Sequence, residues 1–385
     1  MRFSEWYPSS ATDFADISTG VCNASLRAFQ DAYLSSPSIP LINLGIDTDW
    51  PVFDLCQKHA SCILENVPEM RKASLATAGV VLGLLPTLLA VLSPSISELV
   101  LLSSQRPLLA SILSLGAPGV LQRRIFEYED PFELIEPPEG AKVTTRSLMV
   151  LGPWPNWKAV LVSVLQYLLG LACGANTLIL AIQTSNRSII SWGCTRTWPL
   201  IVWVFIPTVI HWIGAVGYRL TLDKSCAIPN AHAKTQAKVQ TLTCVGSGSS
   251  NIEPKVPHVS SMCVSNCDHT DDDRSFFQKL KEWVIRENTA CASHSPVFHL
   301  RHPLEQSSAR ANFGIFLNCV ASFLSFFHVL YGTVVFSGLL FISNLDAIGQ
   351  VVLRGLASAI ICRFLVLVDM GGMRGAILAA NNKQD

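Results

Sequence analysis

The sequence predicts an all-α, polytopic helical membrane protein with about six transmembrane helices and a long polar loop. Half of the 385 residues are hydrophobic and 15% are charged, whereas soluble domains carry about 25% charged residues. Residues 73–92 form an uncharged run of twenty residues. At about 1.5 Å per helical residue, such a run crosses the roughly 30 Å hydrocarbon core of a bilayer. The expected location is therefore a lipid bilayer, either the plasma membrane or an endomembrane.

The first transmembrane segment is one arm of an apolar hairpin over residues 73–121. This arm carries Gly79 and Gly83 on one helix face, where small side chains let another helix approach closely. Pro86 follows and is expected to bend the helix. Residues 1–72 are predicted to form a polar segment ending in a short helix, without the apolar core of a cleaved signal peptide.

The second arm of the hairpin is interrupted by Glu98 and Arg106. An arginine at mid-bilayer costs roughly 2.5–3.5 kcal/mol, which leucine and isoleucine neighbours at about −0.5 kcal/mol each offset. This balance leaves two alternatives, a full span and a re-entrant segment. Glu98 and Arg106 lie about 80° apart around a helix, so no direct pair is expected. We predict that Arg106 is satisfied inside the protein, with Asn176 and Asn318 as candidate acceptors.

Four further apolar runs follow the hairpin, over residues 159–182, 198–220, 313–342 and 347–368. The last run contains Arg354 and Arg363, so it shares the two alternatives of the second arm. The predicted segments are an N-terminal polar segment 1–72, the hairpin 73–121, an acidic proline-rich loop 122–158, the third and fourth helices 159–220, a largely disordered loop 221–312, the fifth and sixth helices 313–369 and a C-terminal tail 370–385.

The polar loops are predicted to dock protein partners. Six carboxylates lie between Glu127 and Glu139, but flexible spacing and intervening prolines favour a solvated docking surface over a preformed metal cage. Within the long loop, Ser275–Asn288 is predicted to form an amphipathic helix that lies against the membrane surface or the helix bundle.

No cofactor, metal or catalytic site is assigned from the sequence. Cys263, Cys267 and His269 offer zinc-type ligands, but structural zinc sites usually use two separated pairs and no second pair follows. Chance spacing in a flexible loop is the favoured interpretation. Catalytic and nucleotide-binding motifs do not occur, so an enzyme is not expected. A net charge of zero, from 28 basic and 28 acidic residues, argues against a nucleic-acid partner.

The distribution of lysine and arginine predicts that both termini face the cytosol. Arg71 and Lys72 precede the first span, and six spans leave only Arg187 and Arg196 outside. If the second arm only re-enters the membrane, one terminus lies outside instead.

Cysteine and asparagine usage depends on that topology. With six spans, Cys194 is the only loop cysteine outside, so no disulfide framework is expected. Of the two glycosylation sequons, Asn186 then faces outside and Asn23 does not. In the alternative topology, three further cysteines are able to pair outside: Cys22, Cys56 and Cys62.

Polar residues inside the predicted spans are the candidate functional residues, because such groups are costly in hydrocarbon. Single polar side chains also join helices by hydrogen bonds, and this structural role is the favoured interpretation. The candidates are Arg106, Asn176, His211, Asn318, His328 and Arg354.

Three stretches carry a resemblance: CQKHASCILENVPE at 56–69, GLLPTLLAVLSPSISELVLLSSQRPLLASILSLGAPG at 83–119, and FEYEDPFEL at 126–134. In these stretches the chain resembles uncharacterised multi-pass membrane proteins of filamentous fungi. The resemblance implies no activity and no site residue.

Two classes of function remain in competition. A membrane component that binds or organises partners fits the long polar loops and the amphipathic helix, and it is the preferred prediction. The alternative is a small-solute or ion transporter that uses intramembrane arginine and histidine, although no internal repeat relates two halves of the chain.

Overall fold

The computed structural model describes residues 3–35, 50–120, 155–221, 276–288, 290 and 309–381. The regular secondary structure of these residues is helical apart from a short ribbon, which confirms the predicted all-α fold class. The helices are α1 Ala11–Thr19, α2 Asn23–Ser35, α3 Trp50–Asn66, α4 Glu69–Leu92, α5 Ile96–Gln105, α6 Pro107–Gly116, α7 Asn156–Arg187, α8 Trp198–Thr221, α9 Phe276–Glu287, α10 Ala309–Ser337 and α11 Leu353–Asn381. The ribbon pairs β1 Ile189–Ile190 with β2 Leu339–Leu340 antiparallel. A 3-10 turn Pro8–Ser10 precedes α1, and a helical turn Asn344–Asp346 with a π-helical segment Ala347–Val352 leads into α11.

Five of the described helical segments are long and apolar enough to cross a bilayer: Glu69–Leu92, Trp157–Arg187, Trp198–Thr221, Ala309–Ser337 and Asn344–Gly375. Their outer faces expose large apolar side chains, such as Val80 and Leu84 on α4 and Phe323 and Phe327 on α10. Extended apolar faces of this kind match hydrocarbon rather than water. The protein is therefore a multi-pass membrane protein, as the sequence predicts.

Small residues bring α4 and α10 together, as the spacing of Gly79 and Gly83 predicts. A Cβ atom added at Gly83 would lie 3.2 Å from the Cβ atom of Ser337, and one added at Gly79 would lie 3.6 Å from the Ser337 carbonyl oxygen. Larger side chains at these two positions would push the helices apart. Pro86 lies inside α4, which continues to Leu92.

The second arm of the hairpin is two short helices and not a span. Ser95 and Glu98 form a capping box that starts α5, and α5 ends at Arg106, where the backbone adopts φ −132° and ψ 73°. Pro107 causes this break, because proline disfavours the helical conformation of the preceding residue and supplies no N–H group. Each helix has 10 residues, or about 15 Å, which is half of a hydrocarbon core.

The contacts of α5 and α6 with α11 show that these two helices fold back on each other as a pair. Glu98, near the start of α5, is paired with Arg363, and Gly116, at the end of α6, abuts Cys362. Both outer ends of the hairpin thus lie at one level of α11. Among the described residues, five segments are long and apolar enough to span where the sequence predicts about six, and the second arm is not one of them.

Helices α1–α3 form a small helical cap at one end of the bundle. Two disulfides hold it, Cys22–Cys62 within the cap and Cys56–Cys194 between the cap and the α7–α8 connection. The ribbon lies at the same end, where Phe341 packs edge-on against Trp6 and Phe14. The cap is therefore attached to the bundle both covalently and by an aromatic core.

The cap corrects the predicted orientation. The disulfide to Cys194 places the N-terminal segment and the α7–α8 connection on one side, whereas the six-span prediction separated them. Disulfides persist in oxidising compartments, so the cap faces away from the cytosol and five spans carry the chain to the other side at the end of α11. Arg71 and Lys72 misled the prediction, since they bind acidic neighbours at the cap junction, Asp13 and Glu69.

The orientation also moves both sequons to the cap side. Asn23 begins α2 inside the cap and Asn186 lies near the end of α7. The prediction that no disulfide framework forms is also wrong, because it placed the N-terminal cysteines and Cys194 on opposite sides of the membrane.

Three predictions concern residues outside those that the structure describes: the disorder of the long loop, the candidate metal ligands Cys263, Cys267 and His269, and the acidic stretch 127–139.

A buried histidine joins the helices of the cap. His59 on α3 is 0% exposed, and its two ring nitrogens lie 3.0 Å from Ser18 Oγ and 2.9 Å from Ser25 Oγ. The ring also meets Phe3 edge-on. Burial lowers the pKa of His59 from 6.5 to about 4, because the charged ring would lose its hydration. The cap therefore holds His59 neutral.

We expect reporters placed at the two ends of the chain to lie on opposite sides of the membrane. A tag before Phe3 should be accessible from outside intact cells or from the organelle lumen, and a tag after Asn381 only from the cytosol. Protease protection of each tag in sealed membranes measures this. Two tags on the same side would contradict the five-span topology.

Acidification should loosen the cap through His59. The folded pKa of about 4 lies below the unfolded value of 6.5, so stability is complete above pH 6.5 and falls by up to about 1.4 kcal/mol per pH unit as the pH drops toward 4. Thermal unfolding of the purified full chain at pH 7 and pH 5.5 measures the slope. His59→Gln should flatten it, and an equal slope in both proteins would exclude His59 as the source.

Candidate functional site

The candidate site lies at the apex of the α5–α6 helix pair, where the two helices meet. Polar side chains converge there from four parts of the chain: the hairpin, α7, α9 and α11. Most of these side chains are buried. We call this group the apex cluster, and its members are Arg106, Ser163, Gln166, Tyr167, Glu287 and Asp369.

Arg106 is the centre of the apex cluster and is 0% exposed. Its Nη1 atom lies 2.9 Å from Asp369 Oδ2 and also donates to Gln166 Oε1, and its Nη2 atom lies 2.6 Å from Ser163 Oγ. Its Nε atom donates to the backbone oxygen of Glu287 at 3.1 Å. Four of the five guanidinium donors are thus bonded. The prediction that Arg106 is satisfied inside the protein is confirmed.

Glu287 supplies a second buried carboxylate, from the end of α9. Its Oε1 atom accepts from the backbone N–H of Leu109 at 3.0 Å and from the hydroxyl of Tyr167 at 2.5 Å. Leu109 lies in the first turn of α6, where backbone N–H groups are free and the helix dipole favours negative charge. Arg106 stacks over the Tyr167 ring at 5.4 Å. The carboxylate of Glu287 therefore lies near two positive groups, the N-terminus of α6 and the Arg106 guanidinium, without forming a direct ion pair with Arg106.

The apex cluster contains one arginine and two carboxylates, and its hydrogen bonding is incomplete. Asp369, whose side chain is 1% exposed, forms the ion pair with Arg106. The Oε2 atom of Glu287 and the Nε2 atom of Gln166 have no hydrogen-bond partner among the described residues. A buried polar atom without a partner costs about 1–3 kcal/mol, so these two atoms mark the part of the cluster that is open to further binding.

Arg354 and Asn176 form a separate polar contact that joins α11 to α7. The Asn176 oxygen accepts from Arg354 Nε at 3.0 Å and Nη2 at 2.8 Å, and Gln183 accepts from Nη1 at 2.9 Å. Asn176 in turn donates to the Ser358 hydroxyl. Both residues were predicted candidates, and the structure pairs them with each other as a link between helices.

The other three predicted residues do not join either group. His328 lies 2.7 Å from the Pro118 backbone oxygen and stacks on Trp203. Asn318 donates to the backbone of its own helix at Gly314. His211 is buried on α8, and its Nδ1 atom lacks a partner among the described residues. The six candidates therefore separate into one charge cluster, one interhelical pair and three isolated side chains.

Several residues of the apex cluster were missed or misassigned from the sequence. Asn176 and Asn318 are wrong as acceptors for Arg106, because its guanidinium donates to Asp369, Gln166, Ser163 and the backbone oxygen of Glu287. The predicted sixth span ends at Val368, so Asp369 was placed just outside it. The sequence predicts the helix that carries Glu287. It does not predict that Glu287 binds the backbone N–H of Leu109, because these two residues are 178 residues apart along the chain.

Among the described residues, no group of three or more histidine, cysteine, aspartate or glutamate side chains is positioned to hold a metal ion. No family model, curated protein or solved structure matches the chain. The candidate spans define its class: a polytopic α-helical membrane protein.

Breaking the buried ion pair should destabilise the protein strongly. Arg106→Leu leaves Asp369 as an uncompensated buried charge, which costs about 3–5 kcal/mol. The double variant Arg106→Leu/Asp369→Leu should be more stable than either single variant, because neither member of the ion pair is left without the other. Folded yield and thermal unfolding in detergent measure these effects.

Lys72→Leu provides the control, since Lys72 pairs with Glu69 at the exposed surface and such pairs contribute little. Strictly additive losses in the double variant would contradict a coupled pair.

Proposed function

We propose that the chain is a membrane component that binds and organises partner proteins, and that it is not an enzyme. The observation that carries this proposal is an open groove of about 800 Å³ between α3, α4, α10 and β2. The groove is mostly apolar and includes the small residues Gly79, Gly83 and Ser337. Small residues let a helix backbone approach closely, which makes a transmembrane helix of a partner the favoured occupant.

The groove continues from the membrane onto the cap, which supports a protein occupant over a lipid chain. Gly83 and Lys72, which both line it, are about 17 Å apart along α4, and Ser61 and Glu65 extend the lining onto α3 of the cap. Charged and polar side chains at that end do not suit a lipid chain. A partner helix with an extramembrane extension fits both parts of the groove.

The fixed cap supports the same proposal. The disulfide Cys56–Cys194 and the ribbon hold α3 against the bundle, so both walls of the groove keep one geometry. A preorganised surface binds with less loss of conformational entropy than a mobile one.

A transporter of small solutes or ions is the second candidate. The observation in its favour is the interrupted helix pair α5–α6 with charges at the break, because transporters place substrate sites at such breaks. Against it, Arg106, Asn176 and Arg354 are bonded to protein partners, which is the pattern of a structural network.

Relationship to multi-pass membrane proteins of filamentous fungi is also a proposal. It rests on the sequence stretches 56–69, 83–119 and 126–134 and adds no activity.

We expect a photo-crosslinking residue at Val80 to capture a transmembrane segment of a partner in native membranes. Val80 lines the groove and is 66% exposed. Val164 on α7 is the control, because it is 51% exposed but lies away from the groove. The adduct should form only at Val80, its partner peptide should map to an apolar helix, and Ala76→Trp should abolish it by filling the groove. Lipid adducts alone at both positions would refute the proposal.

A further inference from the structure

Two free cysteines meet inside the bundle, one on α7 and one on α11. Cys173 and Cys362 are buried in the same apolar core, and neither takes part in the two disulfides. A Cβ atom added at Gly116 would lie 2.8 Å from Cys362 Sγ and 2.9 Å from Cys173 Cβ. Both cysteine side chains therefore lie against this one glycine at the end of α6. We call Cys173 and Cys362 the thiol pair.

The thiol pair lies near the middle of a span. Cys173 is about 24 Å from Trp157 and about 21 Å from Arg187 along α7, and these two residues bound the candidate span. The core around the pair is apolar and includes Leu113 and Leu365. A charged reagent in water is therefore kept from the sulfurs, whereas a small neutral molecule that crosses a bilayer has access to them.

The two thiols have different hydrogen-bonding roles. Cys173 accepts from the Cys362 thiol and from the Ser358 hydroxyl. The Ser358 oxygen itself accepts from Asn176 Nδ2 at 2.8 Å, which leaves the Ser358 hydrogen for the sulfur. Donors directed at one sulfur favour that sulfur as a nucleophile, because they stabilise negative charge on it. Cys173 is thus placed as the nucleophile, with Cys362 as the second thiol within its reach.

Hydrogen bonds connect the thiol pair to the cap end of the bundle. Beyond Ser358 and Asn176, the Asn176 oxygen accepts from Arg354 Nε at 3.0 Å, and Arg354 Nη1 donates to Gln183 Oε1 at 2.9 Å. Gln183 lies in the last two turns of α7, at the end of the bundle where the cap and its disulfides are. The polar side of the thiol pair therefore faces the oxidising compartment.

We propose that the thiol pair is a site of oxidation by hydroperoxides, which converts it to a further disulfide that joins α7 to α11 within the membrane. The Cys173 sulfur attacks one oxygen of hydrogen peroxide, so that an S–O bond forms, the O–O bond breaks and the departing hydroxide takes the thiol proton as water. The Cys362 sulfur then attacks the Cys173 sulfenic acid, and the displaced hydroxide leaves with the Cys362 proton as a second water. The two thiols supply both electrons that reduce the peroxide. This inference does not rest on the groove or on a protein partner.

Peroxide treatment of the full-length protein in its native membranes tests the proposal. Remaining thiols are alkylated after denaturation, and disulfide-linked peptides are identified by mass spectrometry. A peptide that joins Cys173 to Cys362 should form saturably with hydrogen peroxide and disappear on reduction with dithiothreitol. Cys319 is the matched control, because it is an exposed free cysteine on α10, and it should be recovered mainly as the alkylated thiol.

The wild-type experiment is decisive whether or not any variant folds. Absence of the Cys173–Cys362 peptide at every peroxide concentration would overturn the proposal. Its appearance only after Cys319 has been oxidised would do the same, because the thiol pair would then have no special reactivity.

Variants assign the roles within the thiol pair. In Cys362→Ser the sulfenic acid has no partner thiol, so dimedone should label position 173, whereas position 362 should stay unlabelled in Cys173→Ser. Ser358→Ala should slow disulfide formation by about two- to tenfold, the effect of one lost hydrogen bond. Cys319→Ser should leave the rate unchanged. Equal dimedone labelling in the two cysteine variants would overturn the assignment of Cys173 as the nucleophile.

Discussion

The helix break at Arg106 is the constraint on which the rest of the bundle depends. Hydrocarbon offers no hydrogen bonds, so an interrupted backbone must be satisfied by protein. Arg106 is the residue at which α5 ends and α6 begins. Its N–H donates to the Leu102 carbonyl of α5, and its carbonyl accepts from the Ala110 N–H of α6. Its side chain then requires acceptors from three other parts of the chain. The positions of α7, α9 and α11 at this end follow from that requirement.

The two ends of the bundle are held by different interactions, each suited to its surroundings. At the cap end, water and an oxidising environment favour disulfides and an aromatic core, as at Cys56–Cys194 and Phe341. At the hairpin end, buried charges hold the helices, and their strength depends on the exclusion of water. The α7–α11 contact through Asn176 and Arg354 lies between the two. A variant that breaks the interactions at one end of the bundle is therefore expected to leave those at the other end in place.

Sequence reasoning predicts the spans well where composition alone decides them, as for α4, α8 and α10. It leaves the second arm open because the cost of Arg106 and the gain from its apolar neighbours nearly cancel. Proline at position 107 is a further signal, because it supplies no N–H group and disfavours the helical conformation of Arg106, but Pro86 inside α4 shows that a proline alone does not decide where a helix ends.

The orientation and the partners of buried charges depend on contacts far apart in sequence. Counting Arg71 and Lys72 as cytosolic ignored their acidic neighbours in the cap, and Cys56–Cys194 spans 138 residues that no local pattern connects. Arg106 and Asp369 are separated by 263 residues. Local sequence shows that a buried arginine needs an acceptor, but only the packing of α11 against the hairpin identifies which one.

Glu98 and Glu287 are two buried glutamates that bind a helix start in different ways. Both accept from a backbone N–H at a helix start, Ser95 for Glu98 and Leu109 for Glu287. Glu98 caps its own helix from three residues away and is paired with Arg363, so it has no competitor that is equally close. Glu287 reaches its helix from a distant segment and leaves one oxygen unbonded. The same helix-end interaction is therefore set by local sequence at Glu98, whereas at Glu287 it depends on the docking of a helix that lies 178 residues away along the chain.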